Sequence, residues 1–145
     1  MNKPILLTVC TMMLAGCAGS PPKHIGLRDG RLAPCPGKPN CVISDANDAE
    51  HYIDPIRYTG DRKAAMQRLK AVAISFDRSR IVSADERYLH MEFKSLVFRF
   101  VDDVEFYFPD EPLIHVRSAS RIGYSDLGVN RKRVEAIRAK FNEGK

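Results

Sequence analysis

Residues 105–133 read EFYFPDEPLIHVRSASRIGYSDLGVNRKR, and the alternation that runs through their first half decides the fold. Val104, Phe106 and Phe108 recur at a period of two, with Asp103, Glu105 and Tyr107 opposed, as in a strand with one buried face. Pro109-Asp110-Glu111-Pro112 is turn chemistry. Beyond it Ile114 and Val116 alternate with His115 and Arg117. Requiring both apolar rows to share one face sets the parity of this hairpin. Phe108 then stands across from Ile114, Phe106 from Val116, Glu105 from Arg117 and Tyr107 from His115, so opposite charges meet on the polar face.

Working outward, Tyr88 to Ser95 repeats the alternation, with Leu89, Met91 and Phe93 on one face and His90, Glu92 and Lys94 on the other. The run LVFRFV at 96–101 is apolar on both parities and predicts a bend or bulge. A short strand is expected at Arg80–Ala84. Upstream, Asp61 suits a helix cap, and Ala65, Leu69, Val72 and Phe76 follow at helical spacing. A second helix is expected from Asn130 as its cap, carrying Val134, Ile137 and Phe141 inward on an otherwise basic surface. The expected fold is α+β: a small antiparallel sheet of three to four strands with two helices packed on one face.

At 145 residues the chain allows one domain with a modest core. Lys3 followed by an apolar run from Pro4 to Ala15 reads as a signal peptide over 1–16, too short for a permanent membrane span. Leu14-Ala15-Gly16-Cys17 resembles the lipobox of bacterial lipoproteins. That resemblance implies cleavage before Cys17 and acylation of its thiol; an ordinary secretory peptide is the alternative. Ala18, in place of an aspartate, points to the outer membrane, with the domain facing the periplasm. Residues 17–31 then form a lipid anchor and a flexible Pro- and Gly-rich tether, and 32–145 a single domain. Without Lys3 the 23 basic residues become 22 against 18 acids, a mild leaning toward anionic envelope lipid or glycan. Nucleic acid is excluded as a partner by the compartment.

Four cysteines are present. Cys10 leaves with the signal peptide and Cys17 is assigned to lipid, so Cys35 and Cys41, in PCPGKPNC, remain for a disulfide in an oxidising compartment. Their spacing is not that of a zinc knuckle or a redox C-x-x-C pair, and neither a metal nor another cofactor is expected.

Polar chemistry concentrates in one candidate patch: Asp102, Asp103, Glu105, Arg117, Ser118, Ser120, Arg121, Tyr124, Asp126, Asn130 and Arg131. Arginine forks and a Ser/Gly loop entering a helix suit an anion. The same acids can instead consume the arginines in a structural ion-pair network. Arg131, in the first helical turn, conflicts with the helix dipole unless it answers to an acid or a bound anion. Catalysis is disfavoured. Ser118 and Ser120 lack a nucleophile elbow, and adjacent Asp102 and Asp103 point to opposite faces of a strand.

Taken together, PCPGKPNCV, FRFVDDVEF and IHVRSASRIGYSDLGVNRKRVEAIR resemble the uncharacterised family named domain of unknown function 1499, over about residues 32–141. The resemblance covers the expected clasp, acidic block and arginine-rich signature, and it implies no activity. The expectation is an envelope lipoprotein that binds an anionic ligand or another envelope protein without catalysis. A hydrolase of an envelope polymer or lipid, or a purely structural interaction module, stands as the alternative.

Overall fold

A computed structural model describes residues 22–144. The expected signal peptide and Cys17 lie outside the described residues. The elements are β1 (Leu27–Arg28), β2 (Arg31–Leu32), β3 (Cys41–Ile43), β4 (Ile56–Arg57), α1 (Arg62–Ile74), β5 (Ser79–Ala84), β6 (Tyr88–Lys94), β7 (Val101–Tyr107), β8 (Leu113–Ser120) and α2 (Val129–Glu143).

The α+β class and the two helices are as expected, but a sheet of three to four strands is not. The main sheet has six strands in the order β3-β8-β7-β6-β5, with β4 also paired to β8, and β1 and β2 form a separate ribbon. The strands that periodicity misses are two or three residues long, too short to show a period. β1 and β2 pair with each other, and β3 and β4 form because β8 has a free side whose backbone groups need partners. Cys41–Ile43 pairs there with Arg117–Ala119, and Ile56–Arg57 with Leu113–Ile114. The central hairpin keeps the register derived above, with Phe106 across from Val116, Glu105 from Arg117 and Tyr107 from His115.

One face of the sheet presents Val42, Leu89, Met91, Phe93, Val104, Phe106, Ile114 and Val116 to the core. Ala65, Met66, Leu69 and Ala73 of α1 and Val134, Ile137 and Phe141 of α2 close over them. Asp61 caps α1, its Oδ2 accepting from the Ala64 N–H at 3.0 Å. Asn130 does not cap α2. The cap position is Gly128, in the left-handed region at φ 78°, where only glycine rests without strain. Asp126 receives the loose amides instead, its Oδ1 from Gly128 N–H at 3.0 Å and its Oδ2 from Asn130 N–H at 2.7 Å. Asn130, moved inside the first turn, is fully buried.

The opposite face of the sheet is also covered. Residues 22–34, most of them expected to be tether, lie along it through the ribbon, and Leu32 packs with Ile43 and Tyr88. The disulfide joins Cys35 to Cys41, 5.7 Å apart at Cα, and ties the end of this strap to β3.

Candidate functional site

Two polar clusters occupy the two faces of the sheet, and the strands that separate them are β7 and β8. Because successive side chains of a strand point to opposite faces, Asp103, Glu105, Arg117 and Arg121 fall on the strap side. Asp102, Ser118 and Ser120 fall on the helix side.

On the strap side Arg121 grips Asp103 with two bonds, Nε to Oδ2 at 2.7 Å and Nη2 to Oδ1 at 2.8 Å, and Nη2 also donates to Glu92. Arg80 Nε donates to the other oxygen of Glu92 at 2.8 Å. His90 Nε2 lies 2.8 Å from Asp103 Oδ1. Arg117 Nη1 donates to Glu105 Oε2 at 3.1 Å, while Glu105 Oε1 accepts from the Tyr88 hydroxyl at 2.7 Å and the Gly26 N–H at 2.8 Å. Three carboxylates thus meet three guanidinium groups, and His90, Glu92, Asp103, Glu105 and Arg117 are all buried.

The electrostatics follow from that pairing. Burial opposes ionisation of Asp103, but hydrogen bonds from Arg121 and His90 outweigh it and hold its carboxyl below the ordinary range. Glu92 is lowered in the same way, burial being overcome by Arg121 and Arg80. Burial and the neighbouring Glu105 push the Tyr88 hydroxyl well above its usual value, so it stays a donor. His24 sits 3.0 Å from Arg117 Nη2. Burial and the Arg117 charge lower its pKa, so its neutral ring accepts from the guanidinium.

On the helix side Asn130 is the hub. Its Nδ2 donates to Asn40 O at 3.1 Å, Ser120 Oγ at 3.0 Å and Asp126 Oδ2 at 2.8 Å. Its Oδ1 accepts from Ser118 Oγ and Arg133 Nη1. Arg133 Nη2 donates to Asp102 Oδ2 at 2.6 Å. Among the described residues Arg131 pairs with no acid: its guanidinium donates to the carbonyls of Tyr52 at 2.7 Å and Glu50 at 2.8 Å, tying α2 to the loop after β3. Tyr124 stands 69% exposed and joins neither cluster.

The model of the family described as protein of unknown function (DUF1499) matches residues 31–141, from the ribbon to the last turn of α2. The chain belongs to this family. No curated protein matches the chain. The DUF1499 region contains both polar clusters, apart from the contacts that His24 and Gly26 add from upstream.

Within the DUF1499 region one Ser–His contact escaped the reading of the sequence. Ser44 Oγ lies 3.0 Å from His115 Nδ1 and also accepts from the Val116 N–H at 2.9 Å. Ser44 is in a loop 71 residues away, so no local spacing announces the pair. His115 stacks on Tyr107, with ring centroids 6.4 Å apart. Asn40 and Arg133, also central here, lie in the quoted stretches PCPGKPNC and NRKRVEAIR, but their places in the cluster come from tertiary partners. Among the described residues no group of three His, Cys, Asp or Glu side chains is arranged to hold a metal ion, and no helix is long and apolar enough to cross a membrane.

A hollow of about 170 Å³ opens where the strap crosses the end of β8. Its wall includes Pro22, His24, Lys38, Asn40, Arg117 and Arg121. Asn40 donates to Gly123 O at 2.9 Å. Asn40 Oδ1 and Arg117 Nε are buried without a partner among the described residues.

Proposed function

We propose that the protein is a lipid-anchored protein of the bacterial envelope, held in the outer membrane through Cys17 with its domain in the periplasm. It works by binding rather than catalysis, and its ligand is a small anionic group that carries a neighbouring hydroxyl, as in a phosphorylated glycerol or glycan. The observation that carries this reading is that two residues lining the hollow, Arg117 and Asn40, each keep a buried polar atom without a partner among the described residues, a donor on Arg117 and an acceptor on Asn40 just behind the wall. A buried polar atom without a partner is costly, and a ligand offering an anionic oxygen and a hydroxyl would satisfy both. Lys38 adds an exposed cation at the rim.

Titration calorimetry with glycerol phosphate, at low and high salt, tests it. The wild type should bind with an affinity that falls as salt rises, and Lys38→Glu, on the surface, should lose binding without unfolding. No saturable binding, or binding indifferent to Lys38→Glu, overturns the reading.

The hydrolase alternative has one observation in its favour, the Ser44–His115 contact. Ser44 is only 7% exposed, its oxygen is already held by Val116, and no carboxylate among the described residues hydrogen-bonds the His115 ring. A serine nucleophile needs access and an oriented base, so the contact reads better as a link between β8 and the loop after β3.

A further inference from the structure

The β6–β7 connection and the loop after β8 leave the same end of the sheet, joined at the base by the Arg121 N–H donating to Val101 O at 3.1 Å. Both loops carry bare apolar side chains. Leu96, Val97 and Phe98 are 70%, 75% and 71% exposed, and Tyr124 and Leu127 are 69% and 86% exposed. Phe98 stacks on Phe100 with centroids 5.3 Å apart, yet neither ring enters the core. Arg99, at the tip, holds the left-handed conformation at φ 53° that few side chains adopt. Exposed apolar side chains scattered singly mean little, but a contiguous set at one end marks a contact surface.

We propose that this end of the sheet rests in the interfacial region of a bilayer containing anionic phospholipid, with Leu96, Val97 and Phe98 immersed. Two further observations select a membrane over a protein. Exposed Arg99 in the first loop and Lys132 in the first turn of α2 have no ion pair among the described residues, and such cations complement anionic headgroups. The described chain also starts at this end, since Pro22 lines the same hollow as Arg121, Ile122 and Gly123. Five residues back to Cys17 reach at most roughly 18 Å, so an anchor there would hold these loops against its own membrane. This last point rests on the lipid-anchored reading; the apolar end and its cations do not.

The chain contains no tryptophan, so Phe98→Trp in the full chain creates a single indole at the site itself. With vesicles of phosphatidylethanolamine and phosphatidylglycerol, its emission should shift to the blue and be quenched by brominated acyl chains. A Val82→Trp reporter, on the edge strand β5, should do neither. Val97→Ser combined with Phe98→Ser should lower vesicle partition roughly a hundredfold, given the apolar area withdrawn. An indole at 98 that ignores these vesicles, or that responds no more than the one at 82, overturns the proposal. So does one that shifts only with rising protein concentration, which would indicate a second copy as the occupant. Making the same measurement with Cys17→Ser, beside mass analysis of the mature amino terminus, separates this inference from the anchor. A Phe98→Trp protein with Cys17 intact, found unlipidated, whose indole still inserts refutes the anchor alone, and a lipidated one whose indole stays in water refutes the docking surface alone.

Discussion

Arg121 and Arg131 occupy similar places in the sequence and opposite situations in the fold. The Arg121 side chain is 6% exposed and bridges Asp103 and Glu92, themselves 1% and 5% exposed. Replacing it with Gln leaves two buried carboxylates short of a partner, a loss expected to cost about 3–5 kcal/mol. Arg131→Gln removes bonds to two exposed-loop carbonyls that water can take over, so its cost should stay within about 0.5 kcal/mol. Denaturant unfolding of the two variants checks the contrast. Acid should sharpen it. The lowered pKa of Asp103 contributes stability that is full above its ordinary value of 3.8 and is lost as pH falls through the folded value. Without Arg121 that loss should begin at higher pH. Equal losses in the two variants would show that burial of the ion pairs is not what distinguishes them.

Among the elements, the strap and β3 are the ones whose stability is borrowed. Residues 22–31 hold the strap side through few bonds, chiefly Gly26 to Glu105 and Arg117 to His24. Protonating His24 would set a cation against Arg117. Its pKa is lowered from the ordinary 6.5, so the contribution is complete above 6.5 and declines as pH falls below it toward the folded value. The protection factor of the Gly26 amide, its exchange corrected for the intrinsic dependence on pH, should therefore fall below about pH 6.5, and His24→Gln should remove that fall; a protection factor that is flat from pH 7.5 to 5 would count against the coupling. β3 has three residues and is clasped by the disulfide at Cys41. Cys35→Ser with Cys41→Ser should lower stability by roughly 2–3 kcal/mol, since the closed loop is short. The Val42 amide should lose protection first. A double variant with wild-type unfolding would mean that β8 holds β3 unaided.

For the molecule as a whole, the sequence by itself determined the class, the two helices with Ala65, Leu69, Val134, Ile137 and Phe141 in the core, and the pairing of Phe106 with Val116 and Glu105 with Arg117. These follow from periods of two and 3.6 residues sustained over seven residues or more, which a linear pattern records in full. It also contained the clasp, because Cys35 and Cys41 are near neighbours in the chain. Within the candidate patch, parity already placed Asp102 and Asp103 on opposite faces, and it could have divided the rest as well, Ser118 and Ser120 from Arg117 and Arg121. Only the tertiary structure decided the width of the sheet, because strands of two or three residues acquire their identity from the β8 backbone beside them. Only it decided that the polar face is covered, because a segment rich in proline and glycine has no period and settles by the contacts it reaches, Glu105 and Arg117 here. And only it decided which arginine meets which acid. Arg121 and Glu92 are 29 residues apart, and Arg133 and Asp102 are 31 apart; pairs so distant are selected by the crossing of strands and helices, which no local pattern encodes.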